Sequence, residues 1–242
     1  MTAIAFLDAF NTSHLAEDLR GAWNDAAMSA LVSLGNAGFD VTVSTDLYDL
    51  AAFWADHRGQ PQLREFPNFD VHYWPSASKS NTLLCFLERD GRKVGACGYR
   101  LIELFDKRQM RPLTLKEAFD ERFFFYEQPD MGPANECCHL RPHSSEWICD
   151  CVVCVAGALW IEKQHRGMDL FKSFGKLSRL LAVTAQSFSY SYMVVMFCPD
   201  NRELAMDHFG FSEYVPHACS FRGEEWWVAW STRADAIRLA LQ

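Results

Sequence analysis

Leu159-Trp-Ile-Glu-Lys-Gln-His-Arg-Gly-Met-Asp-Leu170 is the stretch whose reading decides the fold. An apolar run of β type ends in Gln164-His-Arg-Gly167 and passes without a spacer into a helical pattern. A strand that stops at an Arg-Gly turn and opens a helix leaves several backbone N–H groups unpaired, converging on one point and backed by the helix dipole. Such a turn is a natural seat for a phosphate.

Working outward, Ile148 to Ile161 reads as a long strand before this turn. After it, Met168 to Ala185 places Leu170, Phe171, Phe174, Leu177 and Leu181 on one helical face, and Tyr192-Met-Val-Val-Met-Phe-Cys198 reads as a buried strand. Strand, helix and strand in that order predict a locally parallel pair with a right-handed crossover. Earlier in the chain stands the clearest hairpin: Asn81 to Glu88, a turn at Asp90-Gly91, and Lys93 to Ile102. Leu15 to Leu34 has apolar positions at helical spacing and meets Gly35 and Gly38. Phe39 to Thr45 then alternates with period two, and Asp46 can cap a helix through Leu47, Leu50, Phe53 and Trp54. Residues 60 to 80 read as irregular. Residues 103 to 147 break the alternation with an acidic, aromatic helical segment around Leu115 to Tyr126 and a Pro/Gly-rich loop, an insertion or lid. The chain closes with a short helix from Asn201 to His208, two strands (Ser212 to Phe221 and Glu225 to Thr232) and an amphipathic tail.

Composition limits what the phosphate seat can serve. With 242 residues and 49% hydrophobic content, the chain can bury one large core. Its net charge of −8 and scattered basic residues exclude the positive stripe that nucleic-acid binding needs. Met1 to Asp8 lacks the basic start of an export signal, and no uncharged run approaches the roughly 20 residues of a membrane span. The expectation is a cytoplasmic protein with no membrane partner. Nine cysteines in such a chain are expected to be reduced, with Cys85, Cys97 and Cys198 packed as small hydrophobes.

Together, the hairpin Leu83 to Ile102, the segment Leu159 to Leu170, the strand Tyr192 to Cys198 and the passage Asn201 to Gly210-Phe211 resemble the GCN5-related N-acetyltransferase (GNAT) superfamily. The resemblance covers roughly residues 39 to 232. It implies an α/β (α+β) fold with a mixed, mostly antiparallel central sheet, split between the fourth and fifth strands and flanked by helices. On this resemblance, residues 1–38 are expected to form an N-terminal helical extension and 39–242 a GNAT-like acyltransferase domain, with 103–147 inserted between its third and fourth strands. Gln164-His-Arg-Gly167 matches the first four positions of the family's pyrophosphate-binding signature, whose last position here is Asp169 rather than Gly or Ala. The resemblance further implies that Arg166 and the N–H groups of Arg166, Gly167, Met168, Asp169 and Leu170 hold the pyrophosphate of acetyl-CoA or another acyl-CoA. By the same resemblance, the N–H of Trp160 or Ile161 is expected to polarise the thioester carbonyl and Asn201 to border the pantetheine. Met206 stands nearest the position where many members carry a Tyr as general acid, which leaves His208, two positions on, as the candidate proton donor.

Direct attack of an amine on a thioester also calls for a base. Glu146, beside Trp147 and an apolar run, is the first candidate, ahead of Asp150 and Glu162. Cys137-Cys-His139, His143 and Cys149-Asp-Cys151-Val-Val-Cys154 gather soft ligands at a density that suits zinc, reactive thiols or packed thiols. On a regular strand Cys149 and Cys151 face one way and Cys154 the other, so packing is the expectation and no metal is expected. Phe123-Phe-Phe-Tyr126, Trp226-Trp227 and Trp230 are expected to fill a core between sheet and helices; the sharper alternative is an acceptor pocket. The activity so implied is an acyl-CoA-dependent N-acyltransferase, with acetyl as default, acting on a small-molecule or peptide amine; a homodimer is compatible with it. A non-catalytic or regulatory module on the same fold, and an acyl-carrier-protein-dependent synthase of N-acyl amino acids or signals, stay open beside it.

Overall fold

The computed structural model describes residues 17–60, 63, 67–74, 81–128, 130, 152–166, 169–184, 190–197, 211, 213–221 and 224–241. Helix α1 (Glu17–Asn36) runs through Gly35 and stops at Gly38, whose φ of +82° only glycine adopts without cost. There the Phe39 N–H reaches Leu34 O (3.0 Å) and the Gly38 N–H reaches Gly35 O (3.0 Å), closing a Schellman cap. Strand β1 (Asp40–Ser44) leads into α2 (Leu47–Asp56), whose N-cap Asp46 accepts the Tyr48 N–H as expected from its type. Strands β2 (Thr82–Arg89) and β3 (Arg92–Glu103) turn on Asp90 and Gly91, both at positive φ, the pair of conformations a tight hairpin needs.

The insertion begins with a two-stranded ribbon, β4 (Phe105–Asp106) with β5 (Arg111–Pro112), followed by α3 (Leu115–Asp120). This helix stops six residues short of the Tyr126 expected from the sequence. A turn with Arg122 at φ +70° breaks it, and Phe124, Phe125 and Tyr126 fold back into the core. Residues 103–128 of the insertion therefore pack as a layer on the sheet, with Leu104, Leu113, Leu115 and Phe119 fully buried.

Beyond the insertion come β6 (Val152–Ile161), α4 (Leu170–Thr184), β7 (Tyr192–Phe197), β8 (Glu213–Phe221), β9 (Glu224–Thr232) and α5 (Arg233–Leu241). The seven-stranded sheet has the order β1-β2-β3-β6-β7-β9-β8. All neighbours are antiparallel except β6 and β7, which run parallel across the α4 crossover. The mixed, mostly antiparallel sheet flanked by helices that the resemblance implies is the sheet found; β6 and β7 are its fourth and fifth main strands. One face is covered by α1, α4 and α5, where Trp23, Leu34, Phe174, Leu177 and Leu181 are buried. The other is covered by α2, a 3-10 turn (Pro67–Phe69) and the insertion, with Phe53, Phe69, Trp160, Trp226 and Trp230 in its core. The expected aromatic core is thus present on that second face. Among the described residues no helix is long and apolar enough to cross a membrane.

Candidate functional site

The C-terminal half of β6 is where the sheet opens. Its parallel pairing with β7 covers only Val153–Ala156 against Tyr192–Val195, although β6 continues to Ile161 and β7 to Phe197. On the β3 side, Gly98 pairs with Gly157 and Ala96 with Trp160, so Cys97 alone faces both Ala158 and Leu159. This is a β-bulge, and Ala158 sits in it at φ +53°. A non-glycine residue there costs on the order of 1 kcal/mol, held by the pairing on either side. The bulge bends β6 just where β7 leaves it, and the split predicted between these strands follows.

Register decides which backbone group faces the split. The Glu162 N–H bonds to Val94 O (2.9 Å), so Glu162 and Trp160 aim their backbone groups at β3, and the intervening Ile161 aims its own at the open edge. Of the two candidates, Trp160 and Ile161, only Ile161 offers an N–H to the split. Its carbonyl accepts from Arg166 Nε (2.6 Å), which folds Arg166 back over the strand end, with its guanidinium 5.7 Å from the Trp160 ring. Partial burial pulls that guanidinium below its ordinary pKa.

Strand and helix do not join directly, contrary to the reading of the sequence. Residues 162–169 intervene, and they include a 3-10 turn, Lys163–His165. The Arg166 N–H is used in that turn, bonding to Lys163 O (3.2 Å), and so is not among the free donors expected at the phosphate seat. Asp169 is exposed at φ +53°, and its carbonyl accepts the Ser173 N–H (3.1 Å), the first bond of α4. Leu170 begins the helix with its side chain buried. Gly167, Met168 and Asn201 lie outside the described residues, as do Glu146, Asp150, Met206 and His208. So do Cys137 to Cys151 with their histidines.

Glu162, the third base candidate, is a clamp rather than a free base. It is 6% exposed, and its Oε1 takes Arg92 Nη2 and lies 3.1 Å from His57 Nε2. Its Oε2 takes Gln164 Nε2 (2.9 Å) and lies 3.7 Å from His165 Nε2. His57, fully buried at the end of α2, turns its Nδ1 to Phe53 O (2.8 Å), so both ring nitrogens face oxygen acceptors. One carboxylate thus ties α2, β3 and the turn after β6 together. Cys154, Cys85 and Cys97 are buried thiols, each pushed up by desolvation, which fits packing and not reactivity. Among the described residues no group of His, Cys, Asp and Glu is arranged to hold a metal.

Sequence reasoning missed the residues over the second sheet face at the split. The Phe69 ring packs against two glycines: a Cβ at Gly98 or at Gly157 would come to 2.7 Å from it. Two positions along β3 from Gly98, on the same face as Ala96 and Ile102, Arg100 is buried. Its one available signal was a cation at an inward position of an otherwise apolar alternation.

No family model matches the chain, and no curated protein sequence matches it. Similar solved structures are acetyltransferases at low identity. The Drosophila melanogaster polyamine N-acetyltransferase is 11% identical with a TM-score of 0.46, covering 80% of this chain and 100% of that one. The spermidine/spermine N-acetyltransferase of Vibrio cholerae is 7% identical with a TM-score of 0.46, covering 84% and 98%. A GNAT-family acetyltransferase of Streptococcus pneumoniae is 10% identical with a TM-score of 0.42, covering 80% and 99%.

Proposed function

We propose that this chain is an acyl-CoA-dependent N-acyltransferase of the GNAT type, acting by direct attack of an amine on a thioester. The observation that carries the reading is the end of β6: a bulge at Ala158, a parallel partner that leaves after Ala156, and the Ile161 N–H on the edge so opened. A pantetheine arm laid in the split forms with β6 the backbone bonds that β7 no longer makes. The Ile161 N–H donates to the thioester oxygen and stabilises the charge that gathers there in the tetrahedral intermediate. The amine lone pair bonds to the carbonyl carbon, the C–S bond breaks, and the thiolate leaves. The sequence offers Glu146 to take the amine proton and His208 to return one to the thiolate. The pyrophosphate sits at the first turn of α4, whose free N–H groups and dipole favour an anion, with the exposed Asp169 carboxylate turned to solvent.

Calorimetric titration with acetyl-CoA tests this. The expected result is binding at micromolar concentration; no binding of any acyl-CoA at millimolar levels would overturn the reading and favour a non-catalytic module. Preference for long acyl chains would instead point to the synthase.

A further inference from the structure

On the sheet face opposite α4, the core contains a guanidinium with no carboxylate at ion-pair distance among the described residues. Arg100 is 1% exposed; its Nη1 donates to Asn68 O (2.6 Å), and its Cζ lies 4.0 Å from the centre of the Trp74 ring. Its Nε has no hydrogen-bond partner, and neither has Oδ1 of Asn68, itself 2% exposed. Burial draws the Arg100 pKa down to about 9, although Glu127 acts in the opposite sense from beyond ion-pair distance. A buried guanidinium that leaves one N–H unmade is costly, and an orphaned acceptor close by doubles the anomaly. Both orphans lie near the mouth of the split: Arg100 pairs in register with Val155, two residues before the first β6 residue without a β7 partner, and the Phe69 ring next to Asn68 rests on Gly98 and Gly157 where β7 departs.

Resting on the acyltransferase reading, we propose that Arg100 and Asn68 form the acceptor subsite and that the acceptor is an amine carrying a carboxylate, of the amino-acid class. The carboxylate supplies a direct ion pair, taking the unmade Arg100 Nε–H in the charge-assisted geometry guanidinium favours. Asn68 Oδ1 takes an N–H of the acceptor amine and so orients its lone pair toward the split. Trp74, stacked on Arg100 and tied to Phe125 O through its Nε1 (2.8 Å), walls the subsite on the guanidinium face.

The test separates this subsite from the reading it rests on. The protein without acyl-CoA is titrated with benzoate and with benzamide, its neutral isostere, as wild type and as Arg100→Met. Acetyl-CoA is titrated separately. The expected result is that benzoate binds wild type at least tenfold more tightly than benzamide, that Arg100→Met abolishes the difference, and that its acetyl-CoA affinity stays within about threefold of wild type. Benzoate and benzamide binding alike to wild type, or benzoate binding unchanged in Arg100→Met, overturns the subsite and leaves the acyltransferase reading standing. If Arg100→Met does not fold by circular dichroism, Arg100→Lys serves: it keeps the charge and loses Nε, and benzoate affinity must fall at least tenfold. Loss of acetyl-CoA binding in the wild type with the benzoate preference intact overturns the acyltransferase reading alone.

Discussion

At the scale of single residues, Glu162 is the densest point of the structure. It faces Arg92, His57, His165 and Gln164 while itself nearly buried. Replacing it by Gln keeps the shape, removes the charge and turns one of the two acceptor oxygens into an NH2 donor facing groups that themselves donate. Because Arg92 is more than half exposed, water compensates part of that loss. The expected cost of Glu162→Gln is about 2 kcal/mol, read as a shift in the urea midpoint. A loss under roughly 0.5 kcal/mol would mean that the cluster behaves as a surface pair. Glu162 was visible in the sequence as a carboxylate near a strand end, but its role was not. His57 and Arg92 are 105 and 70 residues away, and nothing local marks a His at a helix end as half of a buried contact. Asn68 and Arg100 escaped notice for the same reason: an orphaned atom is a property of the neighbourhood.

At the scale of elements, those with a strong local signal were legible. Asp46 and the Asp90-Gly91 turn carry their own geometry, as does the Gly38 stop, and α2, the β2-β3 hairpin and the end of α1 lie where those residues put them. The bulge was not legible, because Ala158 at positive φ has no composition cue; only the register against β3 defines it. It yields a direct check on chemistry. Ile161→Pro deletes an N–H that faces the split and makes no ladder bond; because it also removes a fully buried side chain, circular dichroism and acetyl-CoA affinity serve as the check that the variant is folded. The expected outcome is kcat lowered about 100-fold with acetyl-CoA affinity little changed, measured by steady-state kinetics and calorimetry. An unchanged kcat would remove Ile161 from the mechanism. Helix α3 carries a capping box, the Thr114 hydroxyl accepting from Glu117 N–H (3.1 Å) and Glu117 accepting the Thr114 N–H (2.8 Å). The backbone bond to Thr114 leads in holding the Glu117 carboxyl below its ordinary pKa, so its contribution is complete above that ordinary value and fades as pH falls through the lowered one. Thr114→Ala, which removes the hydroxyl and keeps the backbone N–H, should cost about 1 kcal/mol in urea denaturation, whereas the deficit of Glu117→Gln should narrow in acid when the same measurement is repeated at a series of pH values.

At the scale of the whole molecule, the order of elements predicted the mixed sheet. The sequence could not say how the parts at either end of the core attach. Helix α1, read as part of an extension, buries Trp23, Ala27, Ala30 and Leu34, and the Trp23 Nε1–H bonds to Leu180 O (3.0 Å) in α4. A chain lacking residues 1–38 would leave the apolar flank of α4 in water, and the expected outcome is an insoluble or molten product by gel filtration and near-ultraviolet dichroism. A soluble, sharply melting product would show that the extension is dispensable. The sheet itself is two plates, β1-β2-β3-β6 and β7-β9-β8, welded along four residue pairs. Above the weld, α4 rests on β2 and β3, α5 rests on β7 and β9, and the two helices lean on each other, with Arg233 Nη2 bonded to Val183 O (3.0 Å). The two helices therefore brace the plates against each other across the weld, so that α5, far from the split, bears on the width between them.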